Sequence, residues 1–167
     1  IAVGGDGTFN EVARSLIGNM NVVTGIIPAG TGNDFNQIPG FSNRLTENEW
    51  SVFFSHNTKV MDVGVVNDSI FLNGLGIGFD AEVAAQNYNE MGKVRKGGKD
   101  KYIWHIVKTL LFFREKWMTS TTGEGIQKTQ CFINTVSIGR RFAGSFFLTP
   151  QAIADDGLLD VCSIRKI

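Results

Sequence analysis

Twice within the first forty residues an apolar run passes through a glycine-rich loop into the start of a helix, and this doubled arrangement restricts the fold more than any other feature. Ile1 to Val3 leads into Gly4-Gly5-Asp6-Gly7. Thr8 and Glu11 have capping-box spacing there, and Val12, Ala13, Leu16 and Ile17 supply an apolar helical stripe that Gly18-Asn19 ends. Val22 to Ile27 reads as the second strand, followed by Pro28-Ala29-Gly30-Thr31-Gly32-Asn33-Asp34 and a short helix that Pro39-Gly40 stops. Strands alternating with helices require crossovers, hence a parallel sheet, and two strands are fewer than such a sheet needs. The opening strand lacks an initiator Met, and Leu158 to Ile167 is strand-like without a following turn, so both ends are expected to be cut from a longer sequence.

The pattern changes after a helix expected from Thr46 to about Ser55. Thr58 to Val66, Ser69 to about Phe79, Lys128 to Gly139, Phe142 to Thr149 and Leu158 to Lys166 read as strands. Asn67-Asp68 and Gly139-Arg140-Arg141 are short enough to connect antiparallel hairpins. The expectation is an α/β part with a parallel sheet, then an antiparallel sheet or sandwich, with a boundary near His56 to Lys59. Between the strands lie a helix opened by Asp80 and an apolar helix from about Tyr102 to Met118.

Composition narrows the chemistry. The 167 residues carry 16 Lys+Arg against 16 Asp+Glu, so net charge supplies no pull toward nucleic acid. Cys131 and Cys162 lack CxxC spacing and a companion His cluster, which argues against disulfide or zinc scaffolding and for buried, reduced, cytosolic thiols. His56 and His105 have no partner at ligand or triad spacing. Glycine is the outlier, at 20 residues against 3 Pro, and it belongs where backbone turns sharply or meets a ligand.

In Gly4-Gly5-Asp6-Gly7-Thr8 the absent side chains would let successive N–H groups face a phosphate at the positive end of a helix, or would serve only a tight turn. Asp6 favours the first reading, because a carboxylate beside phosphate calls for an intervening cation such as Mg²⁺ or positions the phosphoryl acceptor. Neither GxGxxG nor a P-loop is present, since Gly30-Thr31 stands where Gly-Lys-Thr is required. The Pro28 to Phe35 loop adds a second set of glycine N–H groups, the Thr31 hydroxyl and the Asp34 carboxylate. Two such loops after neighbouring parallel strands would converge where α/β folds bind ligands.

Gly4-Gly5-Asp6-Gly7-Thr8 with Asn10-Glu11-Val12, Pro28-x-Gly-Thr-Gly-Asn-Asp-Phe35, Asp62-Val63-Gly64, Asn73-x-x-Gly76-x-Gly78-Phe79-Asp80-Ala81 and Asp155-Asp156-Gly157-x-Leu159-Asp160-Val161 occur in this order. The set resembles the diacylglycerol kinase catalytic domain family, which includes bacterial diacylglycerol and sphingosine-type lipid kinases. GGDGT alone is shared with NAD kinases; the ordered set is far more specific. The resemblance implies a nucleotide-binding α/β domain, partial here over residues 1–57, and an antiparallel β-sandwich lipid-binding domain over 58–167. It implies ATP held by Gly4, Gly5, Asp6, Gly7, Thr8, Phe9, Asn10 and Thr31, and supporting acidic roles for Asp6, Asp34 and Asp62, with the catalytic base beyond Ile167. Asp62, within the apolar stretch Val60 to Val63, needs a hydrogen-bonded or cationic partner.

Asp156-Gly157 is a turn signal that serves equally as a plain hairpin turn. The resemblance implies a structural Mg²⁺ there, held by Asp156 with the backbone of Ile153 and Leu158. Lys93 to Lys101 packs five basic residues into nine, either a solvated loop or, beside the aromatic helix that follows, a contact with an anionic membrane surface. The function implied is ATP- and Mg²⁺-dependent phosphorylation of a diacylglycerol-like lipid hydroxyl in phospholipid biosynthesis, by a cytoplasmic enzyme peripheral to the membrane. Homodimerisation stays open and nucleic acid is not expected as a partner. The alternatives are a NAD kinase-like enzyme and a non-catalytic lipid- or phosphate-binding module.

Overall fold

Strand β1 (Ala2–Gly4) lies parallel to β2 (Ile26–Pro28), with Ala2 opposite Ile26 and Gly4 opposite Pro28. The computed structural model to which they belong describes residues 1–19, 21–55, 57–86, 99–142 and 146–165. The chain path forms two compact units, one of residues 1–75 and 136–160, the other of 76–135 and 161–167.

In the first unit, α1 (Asp6–Arg14) follows β1 directly. The expected capping box does not form: the N-cap is Gly5, three residues before the Thr8 that the box requires there, and no side chain caps the helix. A Cβ on Gly4 would touch Thr8 Oγ1 at 2.6 Å, so the Thr8 side chain instead covers the glycine that precedes the helix. The early start places Asp6 in the first turn, where the helix dipole favours an acid. β2 is shorter than Val22 to Ile27 predicts, because Val22 and Val23 are exposed and only Ile26–Pro28 meets β1. A short 3₁₀ turn (Phe35–Gln37) stands where a helix was expected. Ala2, Phe9, Ile26 and Phe35 form one buried cluster joining these elements.

Helix α2 (Glu47–Phe53) carries a true capping box. Thr46 N–H donates to Glu49 Oε2 at 2.7 Å and Glu49 N–H returns to Thr46 Oγ1 at 3.4 Å. The Thr46 backbone bond, with further bonds from Ser42, holds the Glu49 carboxyl down at about 2.

The strand expected from Thr58 to Val66 shrinks to β3 (Gly64–Val66), which pairs antiparallel with β4 (Ser69–Phe71) across Asn67, at φ +50°. That hairpin matches the Asn67-Asp68 expectation. Strands β5 (Gly74–Gly78), β8 (Ile133–Ser137) and β11 (Asp160–Ile164) form a sheet in the order β11-β8-β5. The Gly139-Arg140-Arg141 connection joins no hairpin from β8; β9 (Arg141–Phe142) pairs antiparallel with β10 (Phe146–Phe147). Ile138 N–H and Gly139 N–H both donate to Asn73 O, at 2.8 and 2.9 Å, which diverts the chain after β8.

In the second unit, α3 (Phe79–Gln86) meets α4 (Lys99–Phe112) through a Gln86 Nε2 to Thr109 Oγ1 bond of 3.0 Å. The Tyr102 to Met118 expectation fails at its end. Lys116–Thr122 is strand β6, antiparallel to β7 (Gly125–Cys131) over seven register pairs, and Lys128 Nζ sits 5.4 Å from the Trp117 ring centre. Alternating polar and β-branched residues after Arg114-Glu115 suit a ribbon better than a further helical turn. Phe79 and Phe132 stack, and Phe113 meets both edge-on, with centroids 4.7 to 6.0 Å apart. Cys131 is a buried free thiol and Cys162 is a partly exposed one. His56 and residues 93–98 of the basic run lie outside the described residues, and nothing is described of the His105 side chain. Among the described residues no helix is long and apolar enough to cross a membrane.

Candidate functional site

Both glycine-rich loops lie in the first unit and touch at their glycines. A Cβ on Gly30 would overlap Gly5 Cα, and one on Gly5 would come within 3.0 Å of Gly30 Cα. Only glycine at both positions allows this backbone approach. Asn33 fixes the second loop from within. It is buried at φ +55°, its Oδ1 accepts from Gly30 N–H at 3.0 Å, and its Nδ2 donates to Gly30 O at 2.9 Å. Its role as a clamp was not anticipated, although an Asn set between Gly and Asp in a turn is the legible signal.

A hydrogen bond and an aromatic contact tie the loops together. Phe35 N–H donates to Asp6 Oδ1 at 2.8 Å, and the Phe9 and Phe35 rings meet with centroids 4.4 Å apart. The other Asp6 oxygen turns toward Gly32: a Cβ there would lie 3.2 Å from Asp6 Oδ2 and 3.9 Å from Asp34 Oδ2. Two carboxylate oxygens therefore face the space beside one glycine. Gly7 and Thr8 are exposed at the start of α1, and a Cβ on Gly7 would meet nothing within 4 Å. The first N–H groups of a helix have no intrahelical acceptor, so this open end can receive an anion. Gly4 is covered by Thr8, Phe9 is buried in the cluster, and Asn10 and Thr31 lie on the helix and the second loop, with Thr31 exposed.

Asp62 lies before β3, outside any strand. Its Oδ2 accepts from Gly157 N–H at 2.8 Å and its N–H donates to Ala154 O at 2.8 Å. The partner demanded by its sequence surroundings is thus the Asp156-Gly157 turn, where Asp156 Oδ1 accepts from Leu158 N–H at 2.9 Å and Gly157 has φ +75°. Asp6 and Asp34 share one glycine; Asp62 is bonded to the turn instead. Among the described residues no three His, Cys, Asp or Glu side chains form a group able to hold a metal ion.

Beside Asp34 opens a cleft of ≈ 380 Å³ whose lining includes Lys59, Arg140, Arg141, Phe147 and Asp155. These basic residues were not singled out from sequence, where Arg140 and Arg141 resembled turn residues.

Residues 1–66 match the model of the diacylglycerol kinase catalytic domain. Through this segment the chain is similar to that family. Among its relatives is a protein of Pseudomonas aeruginosa strain UCBPP-PA14 named "probable lipid kinase YegS-like", 32% identical over 96% of this chain and 52% of that protein. A Shewanella frigidimarina protein of the same name is 26% identical over 98% of this chain and 53% of the relative. The crystal structure of a diacylglycerol kinase from Bacillus anthracis superposes with a TM-score of 0.69 at 28% identity, covering 98% of this chain and 52% of that one. The chain spans about half the length of these relatives. The parallel pair and the antiparallel ribbons thus belong to a diacylglycerol kinase fold.

Proposed function

We propose that this chain is part of a lipid kinase that uses ATP and Mg²⁺ to phosphorylate a hydroxyl of diacylglycerol or a related lipid. The observation that carries the reading is the junction of the two glycine loops: Gly5 against Gly30, and Asp6 accepting from Phe35 N–H while Asp6 and Asp34 oxygens face the space beside Gly32. The exposed start of α1 receives the nucleotide phosphates, with Gly4 to Asn10 and Thr31 forming the contact surface. Mg²⁺, when bound, neutralises phosphate charge, and Asp6 and Asp34 supply its protein oxygens. The lipid oxygen forms its bond to the γ-phosphorus as the bond to the ADP oxygen breaks, and the hydroxyl proton passes to a carboxylate beyond Ile167.

Asp62 supports the Asp156-Gly157 turn. The carbonyls of Ile153 and Leu158 join Asp156 in holding a second, structural Mg²⁺. In this reading residues 1–57 are the nucleotide-binding part and 58–167 the lipid-binding sandwich. The basic run 93–101 and α4 bring a cytoplasmic protein to an anionic membrane surface; exposed Trp104, Leu111 and Phe112 on α4 support that contact.

The test is phosphoryl transfer by the full-length protein from labelled ATP to a panel of diacylglycerol, long-chain bases and NAD. Lipid phosphorylation dependent on Mg²⁺ is expected. Phosphorylation of NAD with none of lipid would replace the reading.

A further inference from the structure

The ≈ 380 Å³ cleft next to Asp34 is built from three cations drawn from separate parts of the first unit. Lys59 precedes β3, whereas Arg140 lies on the turn after β8 and Arg141 opens β9. Each is braced by a different neighbour. Lys59 Nζ lies 3.0 Å from Asp155 Oδ2, Arg140 Nε donates to Ala152 O at 2.8 Å, and the Arg141 guanidinium lies 5.0 Å from the centre of the Phe147 ring. Bracing removes part of the side-chain entropy that anion binding would otherwise cost. The cleft also holds the Asp34 and Asp155 carboxylates, and three cations still exceed two anions. A guanidinium pair beside an ammonium matches the oxygens of a tetrahedral oxyanion better than a neutral ligand.

We infer that this cleft is a phosphate-binding site, in which Arg140 and Arg141 take the oxygens of a phosphoryl group and Lys59 adds charge. The inference rests on the kinase reading only for the source of that group, which is either the terminal phosphate of the nucleotide or the phosphate of a phosphorylated lipid. Asp34 places the cleft beside the second glycine loop. A phosphoryl group held there lies next to the carboxylates assigned to the transfer.

Binding to the full-length protein is measured by titration calorimetry with inorganic phosphate, with the non-hydrolysable ATP analogue AMP-PNP and with short-chain phosphatidic acid. Arg140→Ala and Arg141→Ala are each expected to weaken inorganic phosphate about tenfold or more, the scale of a lost charge-assisted hydrogen bond. Arg140→Lys, which keeps the charge, should recover part of the loss. Weakening confined to AMP-PNP among the two larger probes assigns the site to the nucleotide, and weakening confined to phosphatidic acid assigns it to the lipid. If either arginine variant folds poorly, Lys59→Gln provides the measurement, because Lys59 is exposed and its loss removes one charge together with its ion pair to Asp155. Phosphate affinity unchanged within about twofold in the folded variants overturns the site. The kinase reading fails by a different result, intact phosphate binding with no phosphoryl transfer to lipid by the unsubstituted protein.

Discussion

The backbone N–H of Phe35 donates to Asp6 Oδ1 across 29 residues of sequence, at 2.8 Å. One carboxylate oxygen thereby fastens the second glycine loop to the first helix, leaving Oδ2 facing Gly32. If Asp6 acts in phosphoryl transfer as proposed, structural and chemical duties fall on different atoms of one side chain and can be separated by substitution.

Asp6→Asn keeps an oxygen able to accept from Phe35 N–H and removes the charge. Turnover of the full-length protein is expected to fall by about a hundredfold or more, the scale of a lost group acting on transition-state charge, with the melting temperature nearly unchanged. Asp6→Ala should lose the same activity and in addition about 1 kcal/mol of stability. Wild-type turnover in Asp6→Asn would remove Asp6 from the chemistry.

Two neighbouring glycines should respond in opposite ways to alanine. At Gly30 the new methyl collides with Gly5 backbone, which has no side chain to move aside, and a loss of about 1–3 kcal/mol is expected by chemical denaturation. At Gly7 the methyl enters open space on a helical residue, so stability should hold or rise by up to about 0.5 kcal/mol. The same methyl stands at the open helix end, and nucleotide affinity should fall. Equal nucleotide binding by Gly7→Ala and the unsubstituted protein would place the phosphates elsewhere.

Asp62 and Asp156 brace one turn from two sides, through Gly157 N–H and Leu158 N–H. If that turn holds Mg²⁺, the ion should raise the melting temperature, increasingly as its concentration exceeds its dissociation constant. Asp156→Ala should abolish that rise, whereas Asp62→Asn, which retains an acceptor, should diminish it only slightly. An Mg²⁺-dependent rise persisting in Asp156→Ala would move the ion to another place.

Burial raises the Asp80 carboxyl above the usual carboxylate range, outweighing nearby backbone N–H groups of Ala81 and of Asp80 itself. A raised folded pKa means the native state holds the proton more firmly than the unfolded chain. The associated stability is complete below the unfolded pKa, ~3.9, and is lost as pH rises through the folded value. Asp80→Asn removes that dependence. Its stability relative to the unsubstituted protein should therefore grow as pH rises from about 4 toward neutrality, as read from denaturant midpoints across that range. A constant difference between the two proteins would show that burial does not govern this group.

What the sequence alone determined is what short stretches of backbone demand. Gly4 to Gly7, Gly30 to Asn33 and Asn67-Asp68 must turn tightly whatever surrounds them, and the parallel pairing of Ala2–Gly4 with Ile26–Pro28 follows from a strand, a helix and a strand in succession. Tertiary structure decided the elements whose local signals were balanced. Trp117 and Met118 follow an apolar helix and could extend it past Arg114 to Lys116, but pairing of Lys116–Met118 with Thr129–Cys131 gains a ladder of hydrogen bonds that an isolated final turn cannot match. The partner of Asp62 lies 95 residues away, and Lys59 meets Arg140 and Arg141 only around a shared cleft. Such meetings depend on which surfaces bury one another, and periodicity within a segment carries no record of that choice.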